Sequence, residues 1–310
     1  MHTTVFLQAH LSGAIADGVL RDATRLEVVS VFSRSIYACD DNGNLVCFLK
    51  SGMEPGPLNI LCFGWPEDGL HAVVSPGESI SRITKDAWRS RNLDIAFASA
   101  VLWKPPFWPR ADSGRIGKGL SALRTGLAKF APQDSLASLF LCCPPYSLDI
   151  TANPIANALF IEALPSIRHL DDWLRHSPRP FDFNILSLMG LGQGLTPSGD
   201  DLLGGALLAL RAVGMTEERA ILARHISTAA GRLTNSISAA HLSAAIQGLG
   251  AEVLHLFIIA LMQGGEGLHS VAARLSLIGH TSGWDAAAGV VLVLGAYAGM
   301  ELPPAINPRK

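Results

Sequence analysis

Up to about Tyr146 the apolar residues come in short runs of near-alternating character, the period-2 signature of half-buried strands. Leu26–Phe32, Ile36–Ala38 and Leu45–Leu49 read as strands, and the Asp40-Asp41-Asn42-Gly43-Asn44 turn makes a long-looped hairpin of the last two. Leu58–Phe63 and His71–Val74 read as two more, with Trp65-Pro66 and Ser75-Pro76-Gly77 as turn chemistry. The recurrent prolines of Trp103–Arg110 (WKPPFWPR) exclude a helix interior and predict an extended connector. Beyond it Ile116, Leu120, Leu123 and Leu127 recur at helical spacing, with Arg115, Lys118, Arg124 and Lys129 on the other faces. Leu136–Cys142, stopped by Pro144-Pro145, reads as a last strand.

The period then lengthens. Ile155–Leu164 and Ile167–Leu174 predict two short helices, and Phe183–Leu188 leads into a glycine-rich loop. Helices are expected over Asp200–Val213, Glu217–Ala230, Asn235–Gly248, Ala251–Met262, Leu268–Ile278 and Trp284–Met300, with Gly214, Gly231, Gly250, Gly264 and Gly279 as C-caps. The fold class expected is α+β: a mainly β half, a small barrel or a sandwich, over residues 1–150 with a basic helix near 115–130, and a helical half over 151–310.

The densest chemistry is Leu191–Gly205, LGQGLTPSGDDLLGG. Gly192 and Gly194 allow positive φ and close backbone approach to a ligand. A helix starts here in one of two registers: Thr196 as N-cap with Pro197 as first helical residue, or Ser198 as N-cap with Asp201 closing a capping box. Asp200 and Asp201 point about a third of a turn apart, so both cannot serve one cap and a carboxylate is left over. An aspartate in a first turn stabilises a helix by about 0.3–1 kcal/mol without any further role. The motif recurs, however. Ser198-Gly199-x-Asp201-xxx-Gly205 is matched by Ser282-Gly283-x-Asp285-xxx-Gly289, each with a threonine upstream, Thr196 or Thr281. Two such helix starts, with their free N–H groups, can face one site and receive a small anion, directly or through a cation such as Mg²⁺ held by Asp200, Asp201 or Asp285.

Other candidates are weaker. Thr234 and Ser236 open a further helix and offer caps or neutral contacts to a substrate. His280, inside GHTSG, is placed to donate to an oxyanion or move a proton, whereas His241, His255 and His269 have no metal-ligand spacing. Gly114, Gly117 and Gly119 crowd the start of the basic helix, where Arg115 is a candidate for clamping a carboxylate, as is Arg232.

Composition sharpens the class. In 310 residues the net charge is −2, which argues against non-specific nucleic-acid binding. Hydrophobic residues make up 49% and charged ones only 16%, so apolar surface is expected at a subunit interface, in a homo-oligomer or a complex. MHTTVFLQAH lacks the pattern of a signal peptide, and the longest apolar run, Ala286–Met300, is short and glycine-interrupted, so a cytoplasmic protein without a membrane span is expected. Cys39, Cys47, Cys62, Cys142 and Cys143 form no C-x-x-C pair and read as small core residues.

GLTPSGDD at Gly194–Asp201 together with GHTSGWD at Gly279–Asp285 resembles the AllH-like family. The resemblance covers the C-terminal half well and the N-terminal half in general layout. It implies the H-type subunit of an oxamate carbamoyltransferase, working beside other subunits to convert oxamate and carbamoyl phosphate to oxalurate and phosphate, or the reverse. On that reading the N–H groups of Gly194–Gly199 and Ser282–Gly283 hold oxyanions, Asp201 and Asp285 organise the helix starts or a Mg²⁺, and His280 transfers a proton. Ser198-Gly199-Asp200-Asp201 is also loosely similar to the metal motif of ADP-ribosylglycohydrolases, which implies a Mg²⁺-dependent hydrolase. A non-catalytic anion-binding scaffold subunit is the third alternative.

Overall fold

The computed structural model describes residues 4–141 and 154–300, and the chain divides into two compact units, 1–105 and 106–310. The division falls at Pro105/Pro106, inside the proline-rich connector and before the boundary near 150 expected from composition. The reason is packing: the basic helix belongs with the helices that follow it, against which it lies.

Unit 1 is the barrel alternative. Its strands are β1 (Val5–Gly13), β2 (Arg25–Val31), β3 (Ser35–Cys39), β4 (Leu45–Lys50), β5 (Asn59–Phe63), β6 (Ser79–Thr84), β7 (Ala87–Arg89), β8 (Leu93–Ala96) and β9 (Val101–Trp103), with a helix, α1 (Ala14–Asp22), after the first. The order β5-β4-β3-β2-β6-β7-β8-β1 closes through an antiparallel β1–β5 pair into eight strands, and β9 extends the far edge of β1 in parallel. Period-2 alternation places Leu7, Leu26, Val28, Ile36, Phe48, Ile60 and Ile95 in one buried core. His71–Val74 is not a strand. Val73 and Val74 both donate to the Leu70 carbonyl, so this run between Gly69 and Pro76 is a turn that buries Val74.

Unit 2 is helical. Asp112 caps α2 (Ser113–Gly126) by accepting from the Arg115 N–H at 2.8 Å, and the expected stripe of Ile116, Leu120 and Leu123 is buried. Leu136–Cys142 is no strand in its described part. It is a turn followed by α3 (Ser138–Leu141), with Leu136 and Phe140 in the helical core. A short apolar run fits either structure, and here the helices around it decide. Cys142 and Cys143 lie outside the described residues. The two helices expected around Pro165 are one, α4 (Pro154–Arg175). An interior proline costs about 3 kcal/mol, and burial of Ile167, Leu170 and Trp173 on one stripe outweighs it.

A 3-10 segment, Phe183–Leu188, leads to α5 (Ser198–Val213), α6 (Thr216–Leu233), α7 (Ser236–Ile246), α8 (Glu252–Met262), α9 (Leu268–Leu275) and α10 (Ser282–Tyr297). Gly214, Gly264 and Gly279 take positive φ after helices as expected. Gly231 instead lies within α6, and the stop after α7 is Gly248 (φ 80°) rather than Gly250. Among the described residues no helix is long and apolar enough to cross a membrane.

Candidate functional site

The two halves of the repeated motif open α5 and α10, and these helices pack on each other through their glycines. A Cβ on Gly205 would lie 1.9 Å from the Ala286 carbonyl oxygen, and one on Gly289 would lie 1.9 Å from that of Leu202. Gly205 corresponds to Gly289 and Leu202 to Ala286 in the repeat, so the contact is reciprocal and the pair has an approximate two-fold relation. Gly199 and Gly283 are also closely packed, each against a carbonyl of the segment before it, Leu188 or Leu275, with no room for a Cβ. These two glycines therefore have a packing role of their own.

Neither expected capping register holds. Pro197 occupies the N-cap position of α5 and Thr281 that of α10, and neither helix has a side-chain cap. Asp201 and Asp285 occupy equivalent places one turn in, their N–H groups donating to the carbonyls of Pro197 (3.0 Å) and Thr281 (2.8 Å). Both acids are thus free for other work.

A hydrogen bond of 3.0 Å between Thr196 Oγ1 and Ser282 Oγ joins the motifs across 86 residues of sequence. The hydroxyls of Ser282 and Thr196 act on Asp201, and those of Thr281 and Ser198 on Asp285, so each acid meets a serine of the opposite motif. Burial, reinforced by the nearby Asp285, holds the Asp201 carboxyl well above the usual carboxylate range. Burial also pushes Asp285 up to about 6, against the Leu136 N–H, which donates to its Oδ1 at 2.6 Å and favours the charged form. Asp285 is fully buried, and Oδ2 of both acids is sealed and has no hydrogen-bond partner.

Asp200 is different. Its Oδ1 accepts from the Gly190 N–H at 3.0 Å, and its Oδ2 accepts from Ser238 Oγ at 2.7 Å and from Thr234 Oγ1. This carboxylate is buried and already spent on tying the glycine loop to the α6–α7 junction, which removes it as a free cation ligand. Thr234 is engaged there too. Ser236, at the start of α7, is exposed; the cap of that helix is Asn235, which accepts from the Ile237 and Ser238 N–H groups and donates to the Leu195 carbonyl. Gly192 and Gly194 do take positive φ, 116° and 95°, before α5.

His280 is largely exposed at the entry to α10, and its Nε2 lies 2.9 Å from Asp134 Oδ2. Two residues on from Asp134 is Leu136, the donor to Asp285, so the 132–138 turn reaches the second motif at two points. Arg115 is not brought to this cluster. Gly117, two residues on, faces Met300 Sδ beyond the C-terminal end of α10, a helix about 24 Å long at 1.5 Å per residue. Arg232 is exposed in the last turn of α6, near Thr234. Asp134, Leu136 and Ser238 escaped the sequence reading because nothing local marks them: their partners are 146, 149 and 38 residues away.

Among the described residues no group of three or more His, Cys, Asp or Glu side chains could hold a metal ion. Of the three motif aspartates, Asp201 and Asp285 each keep an Oδ2 without a hydrogen-bond partner. No curated protein and no solved structure matches the chain. Residues 188–294, which hold both motifs and most of α10, match the family model described as oxamate carbamoyltransferase subunit AllH.

Proposed function

We propose that the chain is the H-type subunit of an oxamate carbamoyltransferase-like enzyme, and that it binds a small phosphorylated or carboxylate reactant where α5 and α10 begin together. The reaction is transfer of the carbamoyl group of carbamoyl phosphate to oxamate, giving oxalurate and phosphate, or its reverse. The observation that carries this reading is the Thr196–Ser282 hydrogen bond, which joins two helix N-termini and the carboxyl groups of Asp201 and Asp285.

Carbamoyl transfer asks for a leaving phosphate to be neutralised, a carbonyl to be polarised and an amide nitrogen to be held close, so positioning and fixed dipoles dominate. Two helix starts supply positive potential, although the N–H groups of Gly199 and Gly283, expected to hold oxyanions, are taken by the carbonyls of Leu191 and Ile278. Gly192 and Gly194, with their positive φ, form the lip, and His280, held by Asp134, is the proton carrier at the rim. Exposed apolar side chains such as Leu233 and Leu277, near the two motifs, suit contacts with other subunits of the enzyme or further copies of the chain.

Calorimetric titration of carbamoyl phosphate and of inorganic phosphate into the purified chain, with and without MgCl₂, tests the proposal. Saturable binding is expected in wild type and its loss in Asp201→Ala, with the unfolding profile retained. Binding undiminished in Asp201→Ala places the anion elsewhere and overturns this assignment.

A further inference from the structure

The Asp201–Asp285 pair has oxygens to spare, and among the described residues no cation is seen to act on it. The charged groups that act on the pair are acids: Asp285 and Asp200 on Asp201, and Asp134 on Asp285. The nearest imidazole in sequence, that of His280, is turned to Asp134. Asp285 is wholly buried, its Oδ1 is taken by the Leu136 N–H, and its Oδ2, sealed from solvent and within the field of Asp201, has no partner. Asp201 Oδ2 is in the same condition. A buried carboxylate oxygen left unmatched is costly, and a structure retains it where something else satisfies it.

The approximate two-fold relation supplies the rest of a coordination set. Thr196, Ser198 and Asp201 come from one motif and Thr281, Ser282 and Asp285 from the other, and their side chains interact in one crossed cluster. All six offer oxygen and none offers nitrogen or sulfur. Oxygen-only sets with two carboxylates suit hard divalent cations such as Mg²⁺ and Ca²⁺ and give no advantage to zinc or copper.

We infer that Asp201 and Asp285 together bind one divalent alkaline-earth cation between the starts of α5 and α10, with hydroxyls of Thr196, Ser198, Thr281 and Ser282 drawn from the same cluster. Asp200 is not among the ligands, because its oxygens hold Gly190, Thr234 and Ser238. The site itself stands on the side-chain arrangement. Its role rests on the reading above: the ion turns a pair of acids, which alone repels an anion, into a centre that attracts one.

The test is thermal unfolding of the full chain, stripped with EDTA and titrated at pH 8 with MgCl₂ or CaCl₂ at constant ionic strength set by NaCl. The expected result is a saturable rise in Tm of roughly 5–10 °C when one of the two ions is at a hundredfold its Kd, lost in Asp201→Asn and in Asp285→Asn and kept in Asp172→Asn, a surface control. Elemental analysis after gel filtration in that ion should give one ion per wild-type chain, a readout that does not depend on how well the variants fold. A response no larger than that to NaCl, or no retained ion, overturns the inference. Ion binding without phosphate binding sinks the proposed function and leaves the cation site standing; phosphate binding to a chain that retains no ion does the reverse.

Discussion

Two adjacent glycines of α5 should answer the same substitution with opposite signs. A Cβ on Gly205 would sit 1.9 Å from the Ala286 carbonyl oxygen, where side-chain β-carbons keep at least 3.0 Å, and the obstacle is backbone of a helix buried along its length. Relief requires α5 and α10 to part by about 1 Å, an overpacking cost of about 3 kcal/mol, at the upper end of the usual range. For a unit of this size that lowers Tm by roughly 6–12 °C. On Gly204 a Cβ meets only the Ala245 side chain, at an ordinary 3.8 Å. There the helix-propensity gain of about 0.5–1 kcal/mol is realised and Tm rises by a few degrees. Chemical and thermal denaturation of Gly204→Ala and Gly205→Ala against wild type is the assay. Equal effects of the two, or a Gly205→Ala protein as stable as wild type, would refute the close packing on which the candidate site depends.

Other consequences follow from single side chains. In metal-free protein the raised pKa of Asp285 means that the folded state holds its proton more tightly than the unfolded chain, so the stability it lends is complete below about pH 4 and disappears as pH climbs through about 6; the difference is about 3 kcal/mol, and denaturation of Asp285→Asn across pH 4–8 should show a shallower decline than wild type, with the raised Asp201 still contributing. Asp200→Ala orphans the Gly190 N–H and two hydroxyls in a buried setting and should cost about 3 kcal/mol by urea denaturation; a loss under 1 kcal/mol means that this carboxylate does not organise the loop. Asn235→Ala removes the cap of α7 and should cost about 1 kcal/mol, with Asn235→Ser recovering most of it.

Local chemistry explains what could be read without the structure. The apolar stripe of α2, the helix order from Ser198 onward, the barrel-or-sandwich alternative and the correspondence of the two motifs all follow from spacing and glycine placement. The errors arose where a short segment is governed by its neighbours. Leu136–Cys142 has the composition of a strand, yet its described part, up to Leu141, curls because helices surround it, and Pro165 marks a break that the buried stripe of α4 does not allow. The candidate site shows the same boundary. Asp201 and Asp285 could be singled out, but capping was the wrong account of their neighbours: Asp200 serves a junction 34 and 38 residues ahead, and Gly199 and Gly283 are small because carbonyls press on them. No periodicity foretells Asp134 beside His280.

The reciprocal glycine contact limits how this part of the molecule can move. Sliding α5 along α10 by one turn, about 5.4 Å, would bring Leu202 or Leu208 to the place of Gly205, and residues bearing a side chain to that of Gly289, so both gaps would close at once. Translation is blocked in both directions like a ratchet with its two pawls engaged. Rotation about the point where the backbones touch opens or narrows the wedge between the two helix starts by leverage, and what it must stretch is the Thr196–Ser282 hydrogen bond that joins them. Any change of shape that accompanies ligand capture should therefore be a scissoring of α5 against α10 with Gly205 and Gly289 as the pivot.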